Sequence, residues 1–167
     1  QGLNSSMSNN IGIYPEIKNP AFHRREGKDI SLAVLTILKA YGYTTKTDKV
    51  FLQCFDSNEL QNIKDKVFTA LNMDIKLVQL IGESKQFEWM LTEPGRNKLA
   101  RYADGIGPSM HQILDRHASS ISIKTNRLVA RAHAANLVVH PYTFRREAEQ
   151  IPKYALDYND LVNIYLY

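Results

Sequence analysis

Gly12-Ile-Tyr-Pro-Glu-Ile-Lys-Asn-Pro20 is the stretch from which the fold can be read. It reads as the end of a short strand running from Ile11 to Lys18. Side chains alternate along a strand. Tyr14, Glu16 and Lys18 therefore share one face, and Ile13 and Ile17 take the other. A carboxylate and an ammonium on the inner face of a buried strand cost free energy unless something compensates them. A metal ion or an anionic ligand is the usual compensation.

Outward from this segment the chain alternates strand and helix. A polar loop with Pro20, Phe22, His23 and Gly27 precedes a helix over Ile30 to Ala40. Asp29 is its N-cap, Gly42 its stop, and Ile30, Val34, Ile37, Leu38 and Tyr41 its apolar stripe. The second strand spans Val50 to Phe55. Asp56 and Glu59 then form a capping box for a helix that buries Leu60, Ile63, Val67 and Leu71. The third strand spans Ile75 to Ile81, and a loop with Trp89 leads to a helix near Arg96 to Tyr102. A fourth strand, Ala103 to Gly107, stops at Pro108. Helical stretches over Met110 to Ala118 and Asn126 to Asn136 follow, then a fifth strand, Leu137 to Tyr142. A loop with Pro152 leads to a last helix from about Asn159 to Tyr167.

Strands separated by helices imply a parallel sheet with helical crossovers. Polar residues gather at the strand ends: Glu16 and Lys18, Gln53 and Phe55, Gln79, the Gly105-Ile-Gly-Pro108 end, His140 and Tyr142. Carboxyl ends of strands are where barrels and open parallel sheets build their sites. Spacing does not choose between those two. No Gly-rich phosphate loop follows any strand, so the nucleotide-binding fingerprints are absent.

The 167 residues suffice for one domain with a real core, and 44% hydrophobic with 23% charged is ordinary for a globular protein. The net charge of +4 is spread out, with Arg pairs only at 24–25 and 145–146. That argues against a nucleic-acid partner. No apolar run reaches the length of a membrane span. The start, Gln1-Gly-Leu-Asn-Ser-Ser6, has no signal-peptide pattern, and a chain without an initiating Met says nothing here about the full gene product. Cys54 stands alone, which rules out an internal disulfide and reads as a small buried hydrophobe.

Glu16 reads either as a ligand for a hard cation such as Mg²⁺ or Ca²⁺ or as the partner of Lys18. Lys18 reads as a point charge for a phosphate oxygen or as the balance for Glu16. His140 is an acid, a base or a donor to a ligand, or else structural. His23, His111, His117 and His133 show no zinc spacing. Ser119-Ser120 is in no nucleophile elbow. Asp56 reads as a cap and Trp89 as packing.

Gly-Ile-Tyr-Pro-Glu-Ile-Lys (12–18), Lys-Val-Phe-Leu-Gln-Cys-Phe-Asp (49–56), Tyr-Ala-Asp-Gly-Ile-Gly-Pro (102–108) and Leu-Val-Val-His-Pro-Tyr-Thr (137–143), with Arg25-Glu-Gly-Lys-Asp-Ile30, together resemble the bacterial periplasmic type of glycerophosphodiester phosphodiesterase. The resemblance covers nearly the whole chain. It implies an α/β fold, a (β/α)₈ TIM barrel, of which about strands 3 to 7 are present as a single domain over residues 1–167. It implies hydrolysis of a small-molecule glycerophosphodiester, in glycerol and lipid metabolism, to glycerol 3-phosphate and an alcohol. A divalent metal, Ca²⁺ or Mg²⁺, and a pair of histidines would take part. On the resemblance, Glu16 matches a metal ligand and Lys18 a substrate contact. Gln53, Phe55, His140 and Tyr142 match positions lining the substrate pocket. The location implied is the periplasm or the cell envelope, with membrane anchoring of the full-length protein and oligomeric state left open.

The His-Arg-Gly motif, the catalytic histidines and the other metal carboxylates of that family are not in this sequence. No catalytic residue is therefore assigned, and the histidine pair is expected upstream of residue 1. The chain reads as an internal piece, inactive alone, with open sheet edges that invite aggregation or completion by another chain. Two other readings stand beside the enzyme: an envelope surface protein that binds a host or partner protein, and a different metal-assisted barrel phosphoesterase.

Overall fold

A computed structural model describes residues 2–114 and 125–166. After a short helix α1 (Gly2–Ser6), the first strand, β1, is ladder-paired only over Glu16–Ile17. Upstream, the chain still runs alongside its neighbour: Ile13 bridges Val50, and Gln53 N–H donates to the Pro15 carbonyl at 3.0 Å. Pro15 has no N–H to give, which suits the first strand of a sheet. The expected polar loop at 20–27 contains a helix, α2 (Pro20–Arg25). Pro20 opens it because its fixed φ is already helical and its missing N–H is not needed there.

Helix α3 (Ile30–Ala40) starts at Asp29, whose carboxylate accepts from Leu32 N–H at 2.9 Å, and ends at Gly42 with φ 85°. Its buried face is Ser31, Leu35 and Leu38, with Ile30 and Val34 at the margin. The expected stripe was rotated, since Ile37 and Tyr41 are 57% and 58% exposed. Ser31 belongs inside because its hydroxyl donates to the buried Glu59 carboxylate at 2.6 Å.

Strand β2 (Phe51–Cys54) leads into α4 (Ser57–Asn62), a π turn (Ile63–Val67) and α5 (Phe68–Leu71). Asp56 caps α4 by accepting from Asn58 and Glu59 N–H. Glu59 does not return the bond as a capping box requires. It turns into the core to Ser31 and Arg24. Strand β3 (Lys76–Ile81) follows. Trp89 lies in a 3₁₀ helix (Lys85–Leu91), and α6 (Glu93–Leu99) begins three residues before the expected start. Thr92 caps α6 through Gly95 N–H, and Pro94 sits in its first turn.

Strand β4 (Gly105–Pro108) passes to a 3₁₀ turn (Met110–Gln112), after which Leu114 bridges Thr125. The expected helix to Ala118 is thus not formed through 114. The rest of it, with His117 and Ser119-Ser120, lies outside the described residues. Helix α7 (Leu128–Ala134), β5 (Val138–Val139) and α8 (Tyr158–Leu166) complete the order. Tyr167 is also outside the described residues. Among those described, no helix is long and apolar enough to cross a membrane.

Among the described residues the five strands pair in parallel in the order β1-β2-β3-β4-β5, each beside its sequence neighbour. This is the order of a barrel wall. The register passes Glu16–Gln53–Val78–Gly105–Val138. Tyr14 lies two residues before that line and His140 two after it, yet the Tyr14 hydroxyl meets His140 Nδ1 at 2.9 Å. The sheet therefore curls until side chains at its two outer strands meet across the concave face, with an offset of four residues over four strand-to-strand steps. One residue per step is the shear of an eight-stranded barrel of shear eight. The chain is an arc of a (β/α)₈ barrel.

Ile17, Leu52, Cys54, Leu77, Gln79, Ile81 and Ile106, none more than 1% exposed, form the face toward the helices. Burial pushes the Cys54 thiol up to about 12, so it is a neutral core group. Gln79, expected among the functional strand ends, points this way too. Its amide donates to the carbonyls of Cys54, Phe55 and Leu80 and accepts from the Tyr102 hydroxyl. It ties strand ends together and does not reach the site.

Candidate active site

The other, concave face carries Tyr14, Glu16, Phe51, Gln53, Val78, Leu80, Gly105, Gly107, Val138 and His140. Two glycines supply β4's share of it. A Cβ on Gly107 would stand 2.7 Å from Leu80 Cδ2, and one on Gly105 2.6 Å from Val138 Cγ2. The missing side chains make room for those of the neighbouring strands.

The one-residue shear sorts this face into layers contributed by alternate strands. Tyr14, Val78 and His140 form a floor. Glu16, Leu80 and Tyr142 form the layer above it, nearer the carboxyl ends. In the floor, Phe51 stands edge-to-face against His140, with centroids 4.8 Å apart and planes at 82°. Burial pulls the His140 pKa below the usual imidazole value.

In the upper layer Glu16 is 22% exposed and lies 3.5 Å from Lys18 Nζ, whose side chain is 73% exposed. The expectation of a charged pair on a buried strand needs correcting. Among the described strands β1 is first in the sheet and pairs only with β2, so Lys18 reaches water while Glu16 is mostly covered. A cleft of about 500 Å³ opens beside them, bordered by Glu16, Lys18, Phe22, Arg25, Phe55 and Asp56. Gln53 is the register partner of Glu16 and is half-buried on the same face.

Phe55 and Tyr142 meet edge-on, with centroids 5.8 Å apart, and the Tyr142 hydroxyl donates to the Ile81 carbonyl at 3.0 Å. Burial raises the Tyr142 pKa, with the charges of Glu83 and Glu16 adding to the shift. The phenol thus lies within electrostatic reach of both carboxylates. Of the expected residues, Glu16, Lys18 and Phe55 share one cleft. Tyr142 adjoins them, and His140 lies one layer below.

Arg25, which borders this cleft, and Glu83, whose charge acts on Tyr142, were not expected among the site residues. Arg25 comes from α2, whose helical form the loop reading concealed. Glu83 follows the end of β3 and accepts from the Ser109 hydroxyl at 2.6 Å. Its signal was the strand-end position, which the reading assigned to Gln79 instead.

A resident Ca²⁺ or Mg²⁺ takes about six or more oxygen ligands. Among the described residues no group of three His, Cys, Asp or Glu side chains is placed to hold a metal. In the cleft Glu16 faces Lys18, and Asp56 is engaged by two backbone N–H groups. These residues alone do not fit a hard cation.

Residues 1–162 match the family described as the glycerophosphoryl diester phosphodiesterase family. The chain belongs to that family. It is 38% identical to a glycerophosphodiester phosphodiesterase of Haemophilus influenzae, over 99% of this chain and 50% of that protein. The corresponding Treponema pallidum enzyme is 33% identical over 98% of this chain and 50% of its own length. One from Arabidopsis thaliana is 32% identical over 82% of this chain and 40% of its own. The chain spans about half the length of the two bacterial relatives. Membership in that family accords with the barrel arc.

Proposed function

We propose that this chain forms part of the active site of a glycerophosphodiester phosphodiesterase that releases glycerol 3-phosphate and an alcohol. The observation that carries this is the juxtaposition, at the carboxyl end of β1, of Glu16 with the cations Lys18 and Arg25 around one cleft, in a chain of this family. Two cationic side chains suit a phosphodiester anion, Lys as a point charge and Arg as a planar fork. Phe55 supplies an apolar wall for the carbon part of the substrate. Tyr142 and His140 line the deeper wall, and Gln53 adds a polar amide beside Glu16.

Glu16 is one carboxylate, so we assign no catalytic step to a metal held by these residues alone. The reading has Glu16 as one ligand of a Ca²⁺ or Mg²⁺ ion whose other ligands, like the histidine pair, come from the full-length protein. A periplasmic or envelope location belongs to the same proposal and rests on the resemblance; cell fractionation of the full-length protein tests it.

The decisive experiment uses the full-length protein, a panel of glycerophosphodiesters and a glycerol 3-phosphate readout, with and without chelator. Chelator-sensitive turnover that is lost in Glu16→Ala supports the reading. Turnover of other phosphate esters in preference to glycerophosphodiesters would replace it with a different phosphoesterase.

A further inference from the structure

Helix α2 borders the cleft but is thinly attached to the rest of the protein. Pro20 is its buried residue, while Ala21, Phe22, Arg24 and Arg25 are exposed. Its backbone hydrogen bonds stay within residues 19–28. Among the described residues, one side-chain hydrogen bond ties it to another helix. The Arg24 guanidinium donates to the Glu59 carboxylate of α4, 35 residues on.

The two ends of that bond are unequal. The Arg24 side chain is 48% exposed and that of Glu59 1%. The second oxygen of Glu59 accepts from the buried Ser31 hydroxyl at 2.6 Å. Among the described residues Arg24 is the one cation paired with Glu59. A buried carboxylate stripped of its paired charge is costly. The demand for the pair therefore comes from the core, and the core holds α2 through it.

Successive residues of a helix point about 100° apart. With Arg24 turned to Glu59, Arg25 is turned aside. Phe22, three residues earlier, shares the side of Arg25. Both border the cleft. Arg25 makes no ion pair among the described residues. The two adjacent arginines thus divide their duties: one is neutralised by the core, and the other keeps its charge for an anion.

We infer that Arg24 is a positioning residue, which through Glu59 anchors α2 to the core so that Arg25 and Phe22 stand in place at the cleft before the phosphodiester arrives. The effect on substrate rests on the function proposed above. The anchoring does not, because it follows from Arg24, Glu59 and Ser31 alone.

Hydrogen exchange read by mass spectrometry on the full-length protein tests the anchoring. In the unmodified protein the amides of residues 24–28 should exchange at least about tenfold slower than in an unstructured chain. In Arg24→Met they should approach the unstructured rate, with β2 and β3 protected as before. KM for a glycerophosphodiester should then rise about three- to tenfold and kcat change less, because apparent affinity falls with the fraction of time the competent arrangement is populated. Arg24→Lys, which keeps the charge, should recover part of both effects. Arg25→Ala should raise KM by itself. Adding Arg24→Met to it should raise KM by less than the two separate effects multiplied together, since Arg24 acts through its neighbour.

Unstructured-chain exchange over residues 24–28 in the unmodified protein, a measurement that needs no variant to fold, overturns the anchoring. So does unchanged protection of α2 in Arg24→Met. Faster exchange throughout the sheet in that variant makes the pair a general stabiliser and overturns the positioning role. An unchanged KM beside a released α2, or full additivity with Arg25→Ala, overturns it as well. Absence of any glycerophosphodiester turnover, beside the expected exchange pattern, overturns the proposed function and leaves the anchoring standing.

Discussion

Toward the helices the sheet presents Leu52, Leu77 and Ile106, all 0% exposed, while on its concave side Phe55 and Val138 remain 36% and 42% exposed. The same strands supply both faces, and alternate residues are sent to opposite duties. On the helix side, side chains meet others on every flank, and Gln79, the polar residue that the described strands send there, is fully bonded. On the concave side, aromatic rings, a carboxylate and an imidazole stand partly open. The contrast teaches that stability and chemistry are divided by residue parity. Substitutions one position apart should therefore act on different properties.

The sharpest way to break this comparison is to change Glu16 and Leu77 separately in the full-length protein. Glu16→Ala should lower turnover about a hundredfold to a thousandfold while shifting unfolding free energy by no more than about 0.5 kcal/mol. Leu77→Ala should do the reverse in kind, costing about 2–5 kcal/mol in denaturant unfolding while the KM of the remaining folded protein stays as it was. If Glu16→Ala unfolds the protein instead, the division of labour fails.

Ser31→Ala sharpens it on the helix side. The change leaves the buried Glu59 without one of its donors and should cost about 1–3 kcal/mol by the same measurement. Asp56→Ala removes the cap of α4 beside the cleft. It should cost about 1 kcal/mol, seen as a small drop in unfolding midpoint, with a smaller effect on turnover than Glu16→Ala.

Features set by neighbours in the chain were legible before any coordinates. Asp29 at the start of α3, Gly42 at its end and Asp56 before α4 stand where local hydrogen bonding and backbone freedom put them. The strand–helix rhythm followed from apolar spacing. The errors fall where a distant group intervenes. The buried stripe of α3 turned toward Leu35 because Glu59 draws Ser31 inward. Glu59 read as half of a capping box because its real partners, Ser31 and Arg24, are 28 and 35 residues away. Gln79 read as a functional residue because its polarity, and not its parity, was followed. At the site, Glu16 with Lys18 was visible as an alternating pair. Arg25 was hidden by the loop reading, and Glu83 by attention to the wrong strand-end residue.

Alternation and capping, which act over a few bonds, are written in the sequence by itself; they determined the βα order and the face shared by Tyr14, Glu16 and Lys18. Only the tertiary structure decided that Tyr14 would touch His140, that Tyr142 would lie within reach of both Glu16 and Glu83, and that Lys18 would stand in water. Those outcomes depend on how far each strand slips against the next. That slip is set jointly by side-chain packing on both faces of the sheet, which no single segment encodes.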